Sequence, residues 1–358
     1  MNMKSFDEIF VDKTKYGTKI KTSEYMKSGK HIIVDQGQED IAGYTDMEDG
    51  VFTDVPTIIF GDHTRIIKYV DKPFFLGADG VKVLKSKDRN ANYRYLYYAL
   101  SNVKIPNTGY NRHFKWLKES EFYYHDYEQQ IKIVNILDKL TDLIGKRKKQ
   151  LEKLDELVKS RFVEMFGDTI TNPYRFEESA VKERCKMTQG VQIPMSEQLS
   201  DYKEGYYRYL YIRDLKYDDD NWIYVRDCFD EKKLTESDLV VVNTGNTAGE
   251  IYRGKKGILS NNLFKVSFDT KELSTTYLFY YFRSEAFQNL LWSEMKEGTQ
   301  PHLGHKIFGS KKLVVPPMKL QNQFEAFVEQ TDKSKFVVQQ ALEKAQLLFD
   351  SLMQQYFG

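Results

Sequence analysis

The sequence predicts an α+β protein with an internal duplication: a globular segment, a long helix, a second globular segment and a second long helix. Three observations carry this. Apolar residues recur at alternating steps of four and three along a central stretch. The same pattern returns 191 residues later. Before each helix lie short β runs separated by turn residues. At 358 residues the chain has the length of two domains.

The elements are justified in order. The first globular segment, 1–126, holds PTIIF and the aromatic run YRYLYYAL. The central helix, 127–167, carries the seam Ile133, Leu137, Leu140, Ile144, Arg147, Leu151, Leu154, Val158, Arg161 and Met165, apolar except at the two arginines and free of proline. That spacing is a coiled-coil or helix-pair seam. The charges of KRKKQLEKLDELVKSR lie off it on a solvated face. Asn172-Pro173 ends the helical pattern, and the second globular segment, 168–317, holds DLVVV, KLVVP and TYLFYYF. Pro316-Pro317 stops its sheet. The last helix, 318–358, repeats the seam as Phe324, Val328, Thr331, Lys335, Val338, Leu342, Ala345, Phe349, Leu352 and Tyr356. Each helix ends in an aromatic–glycine pair, Phe166-Gly167 and Phe357-Gly358. A weaker echo at displacement 183 aligns Thr57–Gly61 with Val240–Thr244, Thr64 with Thr247, and Val81–Val83 with Phe264–Val266. Gly109/His113 likewise matches Gly298/His302.

Composition narrows the function. Hydrophobic residues make up 41% and charged residues 29%, which excludes a wholly disordered chain. No apolar run is long enough for a membrane span, and MNMKSFDEIF lacks a signal-peptide core. Cys185 and Cys228 make neither a disulfide framework nor, with six scattered histidines, a zinc cluster. A reducing cytoplasm is the expected compartment. The net charge of +1 gives no overall pull toward a polyanion, so any nucleic-acid surface must arise from local folding of charge.

Catalytic motifs are incomplete. Gly249–Lys256 has the glycine spacing of a phosphate-binding loop, but Lys256 stands where Ser or Thr must hold Mg²⁺. Asn172-Pro173-Tyr174 is a proline short of the motif that holds a target amino group in adenine methyltransferases. His302 and His305 lack a third ligand, and Asp62-His63 lacks a nucleophile in a signature context. A stand-alone catalyst is not expected.

Nearly the whole chain resembles the specificity (S) subunit of type I restriction–modification systems. The resemblance is carried by EQQIKIVNILDKLTDLIGKRKKQLEKLDELVKSRFVEMFGD (128–168), by SDLVVVNTGNTAGEIYRGKKGILSNNLFKV (237–266) and by EGTQPHLGHKIFGSKKLVVPPMKLQNQF (297–324). HIIVDQGQEDIAGY (31–44) and PTIIFGDHTR (56–65) are similar to another variant of the same domain. In the first half, Tyr123-Tyr124-His125-Asp126 replaces the proline that usually precedes the helix. The resemblance implies two similar target recognition domains, 1–126 and 168–317, related by a pseudo-two-fold axis and separated by two long antiparallel, coiled-coil-like helices. Each domain would read one half of a bipartite site in double-stranded DNA. The implied partners are two methyltransferase subunits, which methylate adenine with S-adenosylmethionine, and restriction subunits that use ATP and Mg²⁺. The S subunit itself would hold no cofactor, metal or catalytic residue, and no membrane is implied.

A helix from Ile133 to Met165 spans roughly 48 Å, the rise of about 14 base pairs. Domains overhanging its ends leave an unread spacer of roughly half a turn to one turn. Asn and Gln pair with adenine, and Arg with guanine, in the major groove. The loop-borne candidates for DNA contact are Gln36, Gln38, His63, Arg65, Tyr110, Asn111, Arg112 and Lys115 in the first domain. In the second they are Gln189, Gln192, Arg213, Asn243, Thr244, Asn246, Thr247, Asn261, Asn262, Gln300 and His302. The alternative is a coiled-coil scaffold whose globular domains bind proteins through their tyrosine-rich loops.

Overall fold

The computed structural model describes residues 2–77, 79–109, 111–217, 220–295 and 301–358. The chain folds as two compact units, Met1–Lys149 with Gln339–Gly358, and Gln150–Val338.

In the first unit β1 (Asn2–Ser5) leads through the single turn α1 (Phe6–Ile9) into β2 (Phe10–Asp12), β3 (His31–Val34), β4 (Gly43–Thr45), β5 (Thr57–Gly61), β6 (Ile67–Val70), β7 (Phe74–Leu76) and β8 (Val81–Ser86). Helix α2 (Tyr93–Ser101), the short α3 (Phe114–Lys118) and β9 (Glu121–Tyr124) precede the 40-residue helix α4 (Tyr127–Phe166). The strands form an antiparallel sheet β2-β8-β5-β6, a sheet β4-β3-β7 in which β3 and β7 run parallel, and the pair β1-β9.

The second unit repeats this order. It runs β10 (Glu177–Ala180), α5 (Val181–Arg184), β11 (Cys185–Gln189), β12 (Tyr206–Leu210), α6 (Ile212–Lys216), β13 (Ile223–Arg226), β14 (Lys233–Leu234), β15 (Leu239–Val242), β16 (Ile251–Arg253), β17 (Gly257–Leu259) and β18 (Leu263–Phe268). Then come α7 (Thr275–Arg283), α8 (Glu285–Glu294), α9 (His305–Gly309), β19 (Lys312–Val315) and the 40-residue helix α10 (Met318–Phe357). Its sheets are β11-β18-β15-β16, β13-β12-β17-β14 with β12 and β17 parallel, and β10-β19. Topology is thus shared by the two units, with α6, α8 and β14 elaborating the second.

The central strand of each unit shows why the fold closes. Ile58 and Phe60 of β5 pack with Leu96 and Leu100 of α2, while Ile59 faces the other way, onto Val34, Phe74 and Leu76. In β15, Leu239 and Val241 meet Tyr277 and Leu278 of α7, and Val240 and Val242 meet Leu210 and Leu259. Both strands are buried on both faces, helix on one side and second sheet on the other. The helices α2 and α7 start on matching caps: Asn92 accepts from the Tyr95 amide at 3.1 Å and Ser274 from the Tyr277 amide at 3.3 Å.

The 191-residue displacement holds for β9–α4 against β19–α10. The expected displacement of 183 does not hold for the sheet. The bond from Asp62 N to Gly80 O (2.7 Å) matches that from Asn243 N to Asn262 O (3.1 Å), which gives 181 for β5 and 182 for β8. The reason is the pleat. At 183, Val81 and Val83, which face the second sheet, would fall on Phe264 and Val266, which face α7. Similarly, His113 N bonds Asp62 O and Leu303 N bonds Asn243 O, both at 2.8 Å, so His113 corresponds to Leu303 rather than to His302. Gly298 lies outside the described residues.

The helix seams are buried within each unit. In the first, Ile133, Val134 and Leu137 of α4 share a core with Met353 of α10, and Phe357 lies 5.2 Å from Tyr95. In the second, Phe162 and Phe166 near the end of α4 each lie 5.5 Å from Phe324 near the start of α10, and Lys335 pairs with Asp155 at 2.6 Å. The beginning of each helix meets the end of the other, so the two run antiparallel. A glutamine locks each entry: Gln130 Nε2 donates to His125 O (2.8 Å) and Gln321 Nε2 to Pro316 O (2.7 Å). The first helix therefore keeps the same bond although His125 replaces proline.

Candidate nucleic-acid interface

In each unit several loops meet at one end of the sheets, held by corresponding backbone bonds. In the first unit they are the turn after β3, the β5–β6 turn, the lead into β8 and the lead into α3. Gln36 joins three of them: its Nε2 donates to Asp79 O (3.0 Å), its Oε1 accepts from His63 N (3.1 Å), and its carbonyl accepts from Thr64 Oγ1 (2.7 Å). The buried Asp62 carboxylate accepts from the Phe114 amide at 2.8 Å, and His63 Nδ1 lies 3.2 Å from Asn111 O. Arg65, at φ 63°, donates from Nη1 to Ile105 O at 3.3 Å. Asn111 donates back to Thr108.

Gln38 and Arg112 are exposed on these loops, and Lys115 is exposed on the first turn of α3. The Lys115 ammonium lies over the Trp116 ring, 4.4 Å from its centroid. Asp79 is paired with Lys19 at 2.6 Å. That bond, with Arg112 adding to it, holds the Asp79 carboxyl below its usual range.

In the second unit the loops are 189–192, 243–247, 260–262 and 301–303. Gln189 Nε2 donates to Asn261 O (2.6 Å) and Leu263 O (3.2 Å). Asn243, 3% exposed, donates from Nδ2 to Asn261 O (3.3 Å) and accepts from Thr244 Oγ1 (2.9 Å). Thr244 bridges to His302, and Gly245 N donates to Pro301 O at 3.0 Å, with Gly245 at φ 90° as only glycine adopts readily. Gly190 passes so close to β17 that a Cβ there would stand 1.9 Å from Ser260 O. Gln192, Asn246 and Asn262 are exposed, while Thr247 and Asn261 are half-buried. Burial, with His302 and Lys232 nearby, lowers the pKa of the His305 imidazole, which packs 4.8 Å from the Phe264 ring.

The structure thus brings together most of the residues singled out in the sequence. Gln36, Gln189 and Asn243 hold loops in place with their amides. Arg213 lies on α6, where Gly37 stands after β3, and donates from Nη2 to Asn221 O at 3.2 Å. Tyr110 and Gln300 lie outside the described residues. Asp62, His113, Gly190 and Ser260 were not among the expected site residues. Gly190 stands beside the Gln189/Gln192 pair, while Asp62 and His113 stand out in the sequence only as an incomplete Asp-His motif and as part of the repeat. Among the described residues no group of three or more His, Cys, Asp and Glu could hold a metal ion, and no helix is long and apolar enough to cross a membrane. Burial raises the pKa of the Cys185 thiol to about 12.

Comparison with known proteins agrees with this arrangement. Residues 173–346 match the family described as type I restriction modification DNA specificity domain. Over 129 residues, 36% of this chain, the sequence is 34% identical to the specificity subunit of the type I restriction enzyme MjaVIII of Methanocaldococcus jannaschii, and the match spans 30% of that relative's length. The fold is similar to the crystal structure of a type I restriction–modification S subunit from M. genitalium, with TM-score 0.64 and 18% identity over 100% of this chain and 96% of that one. It is also similar to a chain solved in work on complex assembly and conformational transition of the type I system, with TM-score 0.57 and 12% identity over 99% of this chain and 97% of the other. Residues 173–346 thus match the type I restriction modification DNA specificity domain, and the chain resembles specificity subunits of type I restriction–modification systems.

Proposed function

We propose that each unit reads one half of a bipartite site in double-stranded DNA through its loop cluster, and that the paired helices set the gap between the halves. The observation that carries this reading is the repetition of the cluster. The same two backbone bonds, Asp62 N to Gly80 O with His113 N to Asp62 O, and Asn243 N to Asn262 O with Leu303 N to Asn243 O, present polar loops at the same place in both copies. A duplicated reader suits a target with two halves.

In this reading the chain is not an enzyme. Its buried carboxylate at the first cluster, Asp62, is bonded to the Phe114 amide and supports a loop. Adenine methylation with S-adenosylmethionine belongs to two methyltransferase subunits, and cleavage with ATP and Mg²⁺ to restriction subunits. The site of action is the cytoplasm.

The test is a gel shift with a pool of random duplexes, run with the chain alone and with candidate methyltransferase subunits. Retention of duplexes sharing a two-part motif is the expected result. Retention without a motif, or none in either arm, overturns the reading and leaves a scaffold that binds proteins.

A further inference from the structure

The two clusters are equivalent in backbone and opposite in chemistry. Once the amides engaged within each cluster are set aside, the side chains left on the surface differ. In the second unit they are Gln192, Asn246 and Asn262, exposed and without a side-chain partner among the described residues. Loops 189–192, 243–247, 260–262 and 301–303 carry no lysine or arginine. In the first unit the exposed groups are Arg112 and Lys115, with Gln38.

Resting on the reading of both clusters as DNA interfaces, we propose that the second unit reads its half-site through adenine, by Asn246 and Asn262 with Gln192, and that direct reading of guanine falls to Arg112 in the first. A carboxamide offers one donor and one acceptor side by side, which match adenine N6 and N7. Against guanine its oxygen would face the acceptor O6 or N7. A guanidinium offers two donors, which match guanine O6 and N7, and against adenine one of them would face the N6 amino group. Among the described residues of loops 189–192, 243–247, 260–262 and 301–303 no side chain donates twice from one charged fork, and Arg213, on α6 beside them, is engaged with Asn221 O; the carboxamides of these loops discriminate against guanine by leaving acceptors facing each other. Its loops carry no Lys, Arg, Asp or Glu, so they release few counterions.

The anchoring of the loops makes the assignment specific. Asn262 follows Asn261, whose carbonyl is held by both Gln189 and Asn243, and Asn246 follows Gly245, pinned to Pro301. Both amides are therefore carried on fixed backbone, which limits the ordering cost of a bidentate pair.

The experiment is selection from a random duplex pool by the full chain bound to its methyltransferase subunits, followed by sequencing of the retained duplexes. Four proteins are compared: wild type, Asn246→Ala with Asn262→Ala, Arg112→Ala, and Gln192→Ala. The first variant should relax adenine positions in one half by about 5- to 150-fold per base and leave the other half unchanged. Arg112→Ala should relax guanine in the other half by a similar factor, and Arg112→Lys should restore phosphate attraction with only part of the guanine preference, since an ammonium lacks the rigid fork. Gln192→Ala, on a separate loop, repeats the adenine test should the double variant fail to fold. A wild-type motif whose adenines survive the amide variants, or whose guanines move with them, overturns this inference alone. The absence of any two-part motif with wild type overturns the DNA reading beneath it.

Discussion

Gly190→Ala probes how closely the second cluster is built. The added methyl would stand 1.9 Å from Ser260 O, 2.6 Å from Ser260 C and 2.7 Å from Leu259 O, against 3.4–4 Å for ordinary contact. All three atoms are backbone, so no side chain can swing aside, and the strand end must move by about 1.5 Å, the gap between 1.9 and 3.4 Å. Three bonds cross that gap: Gly190 N to Leu263 O (2.9 Å), Val191 N to Leu259 O (2.9 Å) and Gln189 Nε2 to Asn261 O (2.6 Å). At about 0.5–1.5 kcal/mol net each, their loss costs about 1.5–4.5 kcal/mol. Gly304→Ala is the control, since its Cβ meets nothing within 4 Å and its φ is −79°, leaving a cap preference below about 1 kcal/mol. Guanidinium unfolding gives the two costs, and hydrogen exchange over residues 257–263 locates the first. A Gly190→Ala cost no larger than that of Gly304→Ala, with unchanged exchange there, would refute the close-approach argument.

Other outcomes follow from the same geometry. Replacing Arg112 and Lys115 by Ala should lower the slope of log affinity against log salt by about 0.9 for each phosphate no longer neutralised, whereas the Asn246/Asn262 pair should leave it unchanged; equal slopes for all three proteins would place the two cations off the phosphates. Gly145 lies inside α4 with nothing within 4 Å of its Cβ, so Gly145→Ala should raise the unfolding free energy by about 1 kcal/mol in denaturant titrations. For His125 and His305, burial is the leading cause of a pKa below the ordinary 6.5, so the unfolded chain takes up their protons first. Their contribution to stability is full above pH 6.5 and falls as pH drops through 6.5 toward the folded values. Urea unfolding at pH 7.5 and 5.5 should therefore show a smaller loss in a His125→Gln, His305→Gln variant than in wild type, and an equal loss would contradict the assignment.

The long helices were legible because their signal is periodic and local. Ile133, Leu137, Ile144 and Val158 recur on one face of α4, and every one of them is buried. The sheet register was not. Thr57–Gly61 and Leu239–Val242 are buried on both faces, so no alternation of polar and apolar residues marks which side chain points where. The register is set by what packs above and below each strand, a long-range fact. The candidate loops were recognisable by composition, but the division of labour within them was not. Gln36 and Gln38 look alike in sequence; one holds three loops together and the other is exposed, because only Gln36 lies within reach of Asp79, His63 and Thr64.

The first unit is assembled from two distant stretches, while the second is one continuous run. Met353 and Phe357, from residues 339–358, fill the core around Tyr95 and Leu137. On the ribosome the half begun first is therefore finished last: its tyrosine-lined surface waits uncovered until the whole of Gln150–Val338 has been made. A chain halted before residue 339 would carry a complete later half and an open earlier one, and chaperones would meet their exposed apolar surface at its beginning.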